Sequence, residues 1–405
     1  MKIRYYKNFF YLLIIFFNNF LAIPFLIVDI LKKRNVAINF GVLFFVFGYF
    51  YRPLNEKTDL FRYYELFNQN KVIREALFNY QKDIYAEYMI NFLIKNNLPK
   101  YFLAAISAFI TYYFLFKTLE LIITRIKLKG VYRVICYIIT YLSFSIIGYT
   151  GIRFYPAMSL MAYSIIATYK LRKKVYILLA LLATMIHSSM VVPLVLLVLI
   201  ELKFLYRVNI KIMKLFILIS SVLGKLISVR LLSEIATIIN QNINLIKISE
   251  SYISGRWGIE FISHYNIIGK IVKYYFPFWT FIIIFLLYGI FLLEKNKIDY
   301  FIAYIIMFCF MLQNFQTIFF RYSRLTILLI ITLTIYKIFN GKKYKMIGNI
   351  IVLIFLLWGV LNLMIDLKDY HLDIYYSYIK VFKISLFGIF KDVLFNMEGR
   401  CNYLL

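Results

Sequence analysis

The stretch GIRFYPAMSLMAYSIIATYKLRKKVYILLALLATMIHSSMVVPLVLLVLIEL, residues 151–202, decides the fold. It holds two apolar runs of membrane length, Arg153 to Tyr169 and Val175 to Leu202, separated by Lys170, Arg172, Lys173 and Lys174. Arg153 opens the first run, and His187-Ser188-Ser189 interrupts the second. A cation at the centre of a membrane helix costs roughly 2.5–3.5 kcal/mol on insertion scales, so ionisable residues kept in such runs face a cavity or carry function. The second run is longer than the ~20 residues that one crossing needs, and Lys203, Arg207, Lys211 and Lys214 follow it. If both flanking basic loops are cytoplasmic, the run must enter and return, breaking near His187 and Pro193. Irregular backbone at depth is tolerated where protein or a water-filled cavity covers it. One long tilted helix is the alternative.

Working outward, composition says the same of the whole chain. Hydrophobic residues make up 63% of the 405 and mean hydropathy is +0.77. Apolar runs of about 18 or more residues recur from end to end, which excludes a soluble protein and indicates a polytopic membrane one. The formal charge of +28 fits basic cytoplasmic loops and a surface that handles anions. The basic residues are scattered between apolar spans and form no long patch, so nucleic acid is not an expected partner. Three cysteines, Cys136, Cys309 and Cys401, give no disulfide framework. Lys2, Arg4 and Lys7 precede an apolar run as in a signal peptide, but no small-residue cleavage site follows, so the segment reads as a retained first helix.

The expected fold is an all-α polytopic membrane protein, one integral-membrane domain over residues 1–405 with about twelve transmembrane helices. Its spans are Phe9 to Val28, kinked at Pro24, then Val36 to Tyr51, Tyr101 to Ile123, Tyr132 to Tyr149, the two runs above, Leu215 to Leu232, Val272 to Leu293, Tyr300 to Phe320, Leu325 to Phe339 and Ile347 to Ile365. Two larger regions, 52–100 and 233–270, fall outside as helices and loops, and the tail from Lys368 reads as an interfacial helix. Positive-inside placement puts the tight turn at Thr150-Gly151 on the external face.

That face collects Arg52, Arg153, Arg256, Arg321 and Arg324. An arginine's planar fork suits phosphate and diphosphate because it binds two oxygens and stays charged, whereas boundary arginines can also simply snorkel to headgroups. His187 can move a proton near working pH or pack as a satisfied ring. Asp59 and Glu87 are possible general bases or solvated loop acids. Tyr63, Tyr64 and Trp257 can stack on sugars. No GxGxxG, P-loop, HExxH or paired CxxC pattern occurs, so no cofactor is expected. Asp366, Asp369, His371 and Asp373 read as a solvated stretch and not as a metal site.

Three stretches carry a resemblance: Gly48 to Phe67 with Arg52, Asp59, Tyr63 and Tyr64; Gly151 to Ala162 with Arg153 and Ala157; and Ala183 to Pro193 with His187, Ser188 and Ser189. Arg321-Tyr322 adds a late arginine. In order and spacing these resemble the EpsG family of exopolysaccharide and capsule proteins, grouped with O-antigen-type (Wzy-like) repeat-unit polymerases. The chain departs at Glu56-Lys57-Thr58-Asp59, where many members have Gly-Thr-Asp, and at Phe154, where glutamine often stands.

The resemblance implies a membrane glycosyltransferase, multi-pass in the cytoplasmic (inner) membrane. It would polymerise polyprenyl-diphosphate-linked (undecaprenyl-type) oligosaccharide repeats at the outer face without a metal, beside other polysaccharide-assembly membrane proteins in the bilayer. Asp59, Arg153 and His187 would be catalytic, and Arg52, Tyr63, Glu87, Arg256, Arg321 and Arg324 would bind substrate. A transporter or flippase of lipid-linked glycans and a membrane acyltransferase using His187 are the alternatives.

Overall fold

The computed structural model describes residues 11, 13–53, 59–68, 84–124, 126, 128–142, 144, 151–227, 234, 266–341, 344–378 and 384–389. Every regular element among them is a helix. In chain order these are α1 (Ala22–Leu31), α2 (Ala37–Phe50), α3 (Asp59–Asn68), α4 (Ile84–Lys95), α5 (Phe102–Ile123), α6 (Gly130–Leu142), α7 (Phe154–Leu171), α8 (Ile177–Ile186), α9 (Val191–Glu201) and α10 (Ile210–Leu226). There follow α11 (Ile267–Leu292), α12 (Lys297–Met311), α13 (Gln316–Asn340), α14 (Lys345–Asp369) and α15 (His371–Tyr378). Of these, α5, α11, α13 and α14 are each long and apolar enough to cross a bilayer, and α1, α2, α6, α8 and α9 are shorter apolar helices. The chain divides into two compact units, residues 1–194 with 362–405, and residues 195–361.

In the first unit α2 lies against α5 so closely that a Cβ on Gly48 would meet the Ala104 carbonyl oxygen at 2.8 Å. Aromatic rings fill the space that α2, α5 and α6 share. Phe44 stacks on Tyr112 at 3.6 Å between centroids, and Phe40 meets Phe116 at 4.4 Å. The buried carboxylate of Glu120 on α5 accepts from the first backbone N–H groups of α2, Val36 at 2.6 Å and Ala37 at 2.9 Å, and from the Tyr137 hydroxyl at 3.1 Å. A helix start has donors without intrahelical partners and a positive dipole end, so an acid is favourable there.

Two expectations are corrected in this unit. The first apolar run breaks at Asn18-Asn19, where Asn18 Oδ1 accepts from Phe20 N and Asn19 Nδ2 donates to Leu43 O. Pro24 sits in the first turn of α1, where its missing N–H costs no helical bond, so it is not the kink. The tail helix α15 is not solvated on all sides, and its Asp373 is no solvated acid. Asp373 and Ser377 are buried, and both bond to the end of α2.

The second unit is built on α13, whose stretch from Leu325 to Ile335 is buried on every side and packs against α11 and α12. The turn before α13 falls at Leu312–Phe315, where Asn314 Nδ2 donates to the Gly224, Lys225 and Ile227 carbonyls that end α10. Arg321 and Arg324 therefore lie in the second and third turns of α13 and not in the loop between spans that the hydropathy profile suggests. Helix α11 contains two π segments, Ile271–Tyr275 and Tyr288–Leu292. The first ends just before Pro277, which cannot bond back to Lys273. At the far ends of these helices Asp299, fully buried, accepts from Lys337 Nζ at 2.7 Å, Asn296 Nδ2 at 2.7 Å, Glu294 N at 3.0 Å and the Tyr288 hydroxyl.

Candidate functional site

The site is built where α7 begins. Arg153 is the N-cap of that helix, and the carbonyl just before it, Ile152 O, accepts from Ser107 Oγ on α5 at 3.1 Å. Ser107 in turn meets the Tyr85 hydroxyl of α4 at 3.1 Å. Two neighbouring helices thus fix the turn that aims the arginine. Helix starts favour acids, and a cation there is disfavoured by about 0.3–1 kcal/mol, so Arg153 and the dipole behind it form a concentrated positive centre. Its Nη2 stands 3.8 Å from Asp59 Oδ2, and its guanidinium lies 5.5 Å from the centre of the Tyr63 ring. Asp59 and Tyr63 are four residues apart on α3 and so share a face. At 3.8 Å the Arg153 to Asp59 contact is an ion pair but not a hydrogen bond. Both side chains are reachable, at 22% and 38% exposure. Asp59 also pairs with Arg62.

His187 is at the same end of the α7 and α8 hairpin, its ring edge-on to Phe154 at 5.7 Å. The second apolar run does break here. His187 takes extended backbone angles (φ −151°, ψ 120°) between α8 and a short 3₁₀ turn, Ser188–Met190, that leads into α9. The break falls at His187, and Pro193 lies in the first turn of α9. Nδ1 of His187 accepts from Ser189 N at 3.1 Å and faces Ser189 Oγ at 2.8 Å. A nitrogen that accepts a backbone N–H has no hydrogen of its own, so in the neutral ring the hydrogen is on Nε2. Elsewhere the chain caps helices with asparagine: Asn209 accepts from Lys211 N, Asn266 from Gly269 N and Asn296 from Asp299 N. Histidine does the same at residue 187 while adding a second nitrogen that asparagine lacks.

Arg52 belongs to an adjoining cluster. Its Nη1 donates to Tyr49 O at 2.6 Å, its guanidinium carbon lies over the Tyr101 ring 3.4 Å from the centroid, and its backbone N–H donates to Ser377 Oγ at 2.7 Å. Tyr64, next to Tyr63 on α3, meets Tyr101 edge-on at 5.6 Å with Lys100 5.5 Å from its ring. Burial pushes the Tyr64 phenol well above its usual value, opposed by the Arg52 charge, so it stays neutral. Adjacent residues of α3 therefore face the two cation clusters, Tyr63 that of Arg153 and Tyr64 that of Arg52. Glu87 is half-buried in the first turn of α4, the helix tied to the Arg153 turn through Tyr85.

The first unit thus joins Asp59, Tyr63 and Arg153 through direct contacts, with His187 reaching them through Phe154, the neighbour of Arg153, and with Arg52 and Glu87 on neighbouring elements. Arg321 and Arg324 belong to the second unit, and Arg256 lies outside the described residues. Sequence reasoning missed Lys100, Tyr101, Ser107 and Ser377. Only Lys100 left any signal, as a cation at the end of a polar region. Among the described residues no cluster of His, Cys, Asp or Glu could hold a metal ion.

Four helices of membrane length, together with a first unit that carries a carboxylate, two arginines and a helix-breaking histidine, define a multi-pass membrane protein with a site suited to an anion. The chain matches the EpsG family over residues 35–380 and belongs to it, a family of Wzy-like polysaccharide polymerase type. No curated protein and no solved structure matches it.

Proposed function

We propose that this chain is a repeat-unit polymerase that joins polyprenyl-diphosphate-linked oligosaccharides at the outer face of the cytoplasmic membrane, by a metal-independent transfer. The observation that carries this reading is the Arg153 to Asp59 ion pair over Tyr63. In this reading the cation serves a leaving diphosphate, and the carboxylate 3.8 Å away serves an incoming hydroxyl. The acceptor hydroxyl oxygen attacks the anomeric carbon of the donor repeat, the bond from that carbon to the diphosphate oxygen breaks, and the lipid diphosphate leaves with the electron pair. Asp59 takes the hydroxyl proton. Arg153 stabilises the charge that grows on the diphosphate, with the Nε2 hydrogen of His187 as a further donor. Tyr63 offers its ring to a sugar face, and Arg52 with Glu87 holds the rest of the glycan. Arg256, Arg321 and Arg324, about twelve crossings and external regions at 52–100 and 233–270 complete the proposed arrangement.

The purified full chain in lipid nanodiscs, supplied with lipid-linked single repeats, should convert them to a ladder of polymers on a gel. Single repeats left unpolymerised, with transfer across a sealed vesicle instead, would replace the polymerase with a flippase. Transfer of an acyl group to unpolymerised repeats would replace it with an acyltransferase.

A further inference from the structure

Within the first unit α4, α5, α7 and α8 line an open groove of about 420 Å³, within the roughly 300–1,000 Å³ range of ligand clefts. Its walls include Tyr85, Phe114, Leu160, Leu179, Leu182 and Ile186, and no charged side chain lines it. The phenol of Tyr85 is turned to Ser107, so the ring alone serves the wall.

The direction of the groove is informative. One end is Ile186, whose next residue is His187, in ring contact with Phe154 beside Arg153. From there the wall follows α8 back to Leu179, seven residues or about 10 Å along a helix axis. The opposite end of the α7 and α8 hairpin is the basic turn of Arg172, Lys173 and Lys174. The 18 residues of α7 separate the two ends by about 27 Å, close to the thickness of bilayer hydrocarbon. The groove therefore ends one residue short of His187, on the side of the cationic site, and runs from there along α8 toward the basic turn. A molecule with an anionic head and a hydrocarbon chain matches both parts, the head against Arg153 by charge and the chain along α8 by apolar contact.

We propose that this groove seats the first isoprenoid units of the lipid diphosphate, an inference that rests on the polymerase reading for the identity of the head. Leu182 is half exposed, so Leu182→Trp fills the groove without disturbing the core. Leu181, equally exposed on the same helix but not in the wall, supplies the control Leu181→Trp.

The probe is a polyprenyl diphosphate carrying a diazirine in its first isoprene unit, photolysed with the full chain in nanodiscs of phosphatidylcholine and phosphatidylglycerol. Adducts should map to residues 177–186 and disappear when unlabelled polyprenyl diphosphate is added. Leu182→Trp should lower that labelling about tenfold, equivalent to about 1.4 kcal/mol of binding, and Leu181→Trp should leave it unchanged. Labelling that Leu182→Trp does not change, or that excess phosphatidylglycerol suppresses as well as the unlabelled diphosphate does, would make the groove part of the ordinary lipid annulus and overturn the inference. Polymerisation is assayed in parallel. A chain labelled in the groove but making no polymer would refute the polymerase reading and leave the groove standing. A chain that polymerises without groove labelling would do the reverse.

Discussion

Arg153 stands where a helix start would favour an acid, and it gains compensation from Asp59 and from the Tyr63 ring. Lysine at that position keeps the charge and loses the planar fork. Arg153→Lys is expected to remain folded and membrane-inserted while polymer formation falls about a hundredfold, the scale of losing a transition-state donor. Gel ladders at matched protein level check this, and a normal ladder would reduce Arg153 to an interfacial anchor. His187 separates into two roles by nitrogen. His187→Asn keeps an acceptor where Nδ1 caps the turn and removes the Nε2 donor, so stability should hold and activity should fall about a hundredfold. His187→Gln can restore a donor near Nε2 but weakens the cap, costing about 1 kcal/mol, and should retain part of the activity. Thermal unfolding and chain length, measured on both variants, test the assignment together. At this scale the sequence was legible wherever a charged or breaking residue interrupted an apolar run, as at Arg153 and His187. Arg52 was visible as a cation, but its stacking on Tyr101 depends on a residue 49 positions away and leaves no local pattern.

Elements were readable from apolar run length, but their ends were not, because distant side chains set them. Asn314 fixes the turn before α13 by capping α10, about 90 residues earlier in the chain, and Glu120 on α5 caps α2. The ends of α11, α12 and α13 meet at Asp299 and Lys337, which passed as ordinary charges in the sequence and are buried, at 0% and 6% exposure. Removing one member of a buried ion pair costs about 3–5 kcal/mol, because the other is left uncompensated. Lys337→Met should therefore lower stability on that scale, with Asp299 still inside. Combining it with Asp299→Asn should recover much of the loss, since Asn296 Nδ2 and Glu294 N, which share one carboxylate oxygen, can still donate to the amide oxygen, and the Tyr288 hydroxyl, which faces the other, can turn to accept from the amide NH2. Denaturation of the detergent-solubilised protein reads both variants, and additive losses would show that the two groups are not coupled.

For the molecule as a whole, hydropathy announced a helical membrane protein at once, and the spaced motifs pointed to the family that residues 35–380 match. What hydropathy could not reveal is that the chain returns, after the second unit, to finish the first. In α15, Asp373 accepts from the Tyr51 hydroxyl at 2.8 Å and Ser377 accepts from the Arg52 backbone at 2.7 Å, more than 300 residues away in sequence. A tail of mixed aromatic and charged residues looks interfacial when only its own composition is read, yet here it holds the backbone from which Arg52 projects. The tail should consequently affect chemistry it never touches. Asp373→Asn keeps an oxygen acceptor for Tyr51 and should leave polymer yield near normal. Asp373→Ala leaves a buried hydroxyl without its acceptor, at a cost of about 1–3 kcal/mol, and should loosen Arg52 and shorten the polymer. Combining Asp373→Ala with Ser377→Ala should reproduce the polymer lengths of Arg52→Ala at unchanged membrane insertion. Equal polymer from the double variant and the unaltered chain would mean that Arg52 is held without α15.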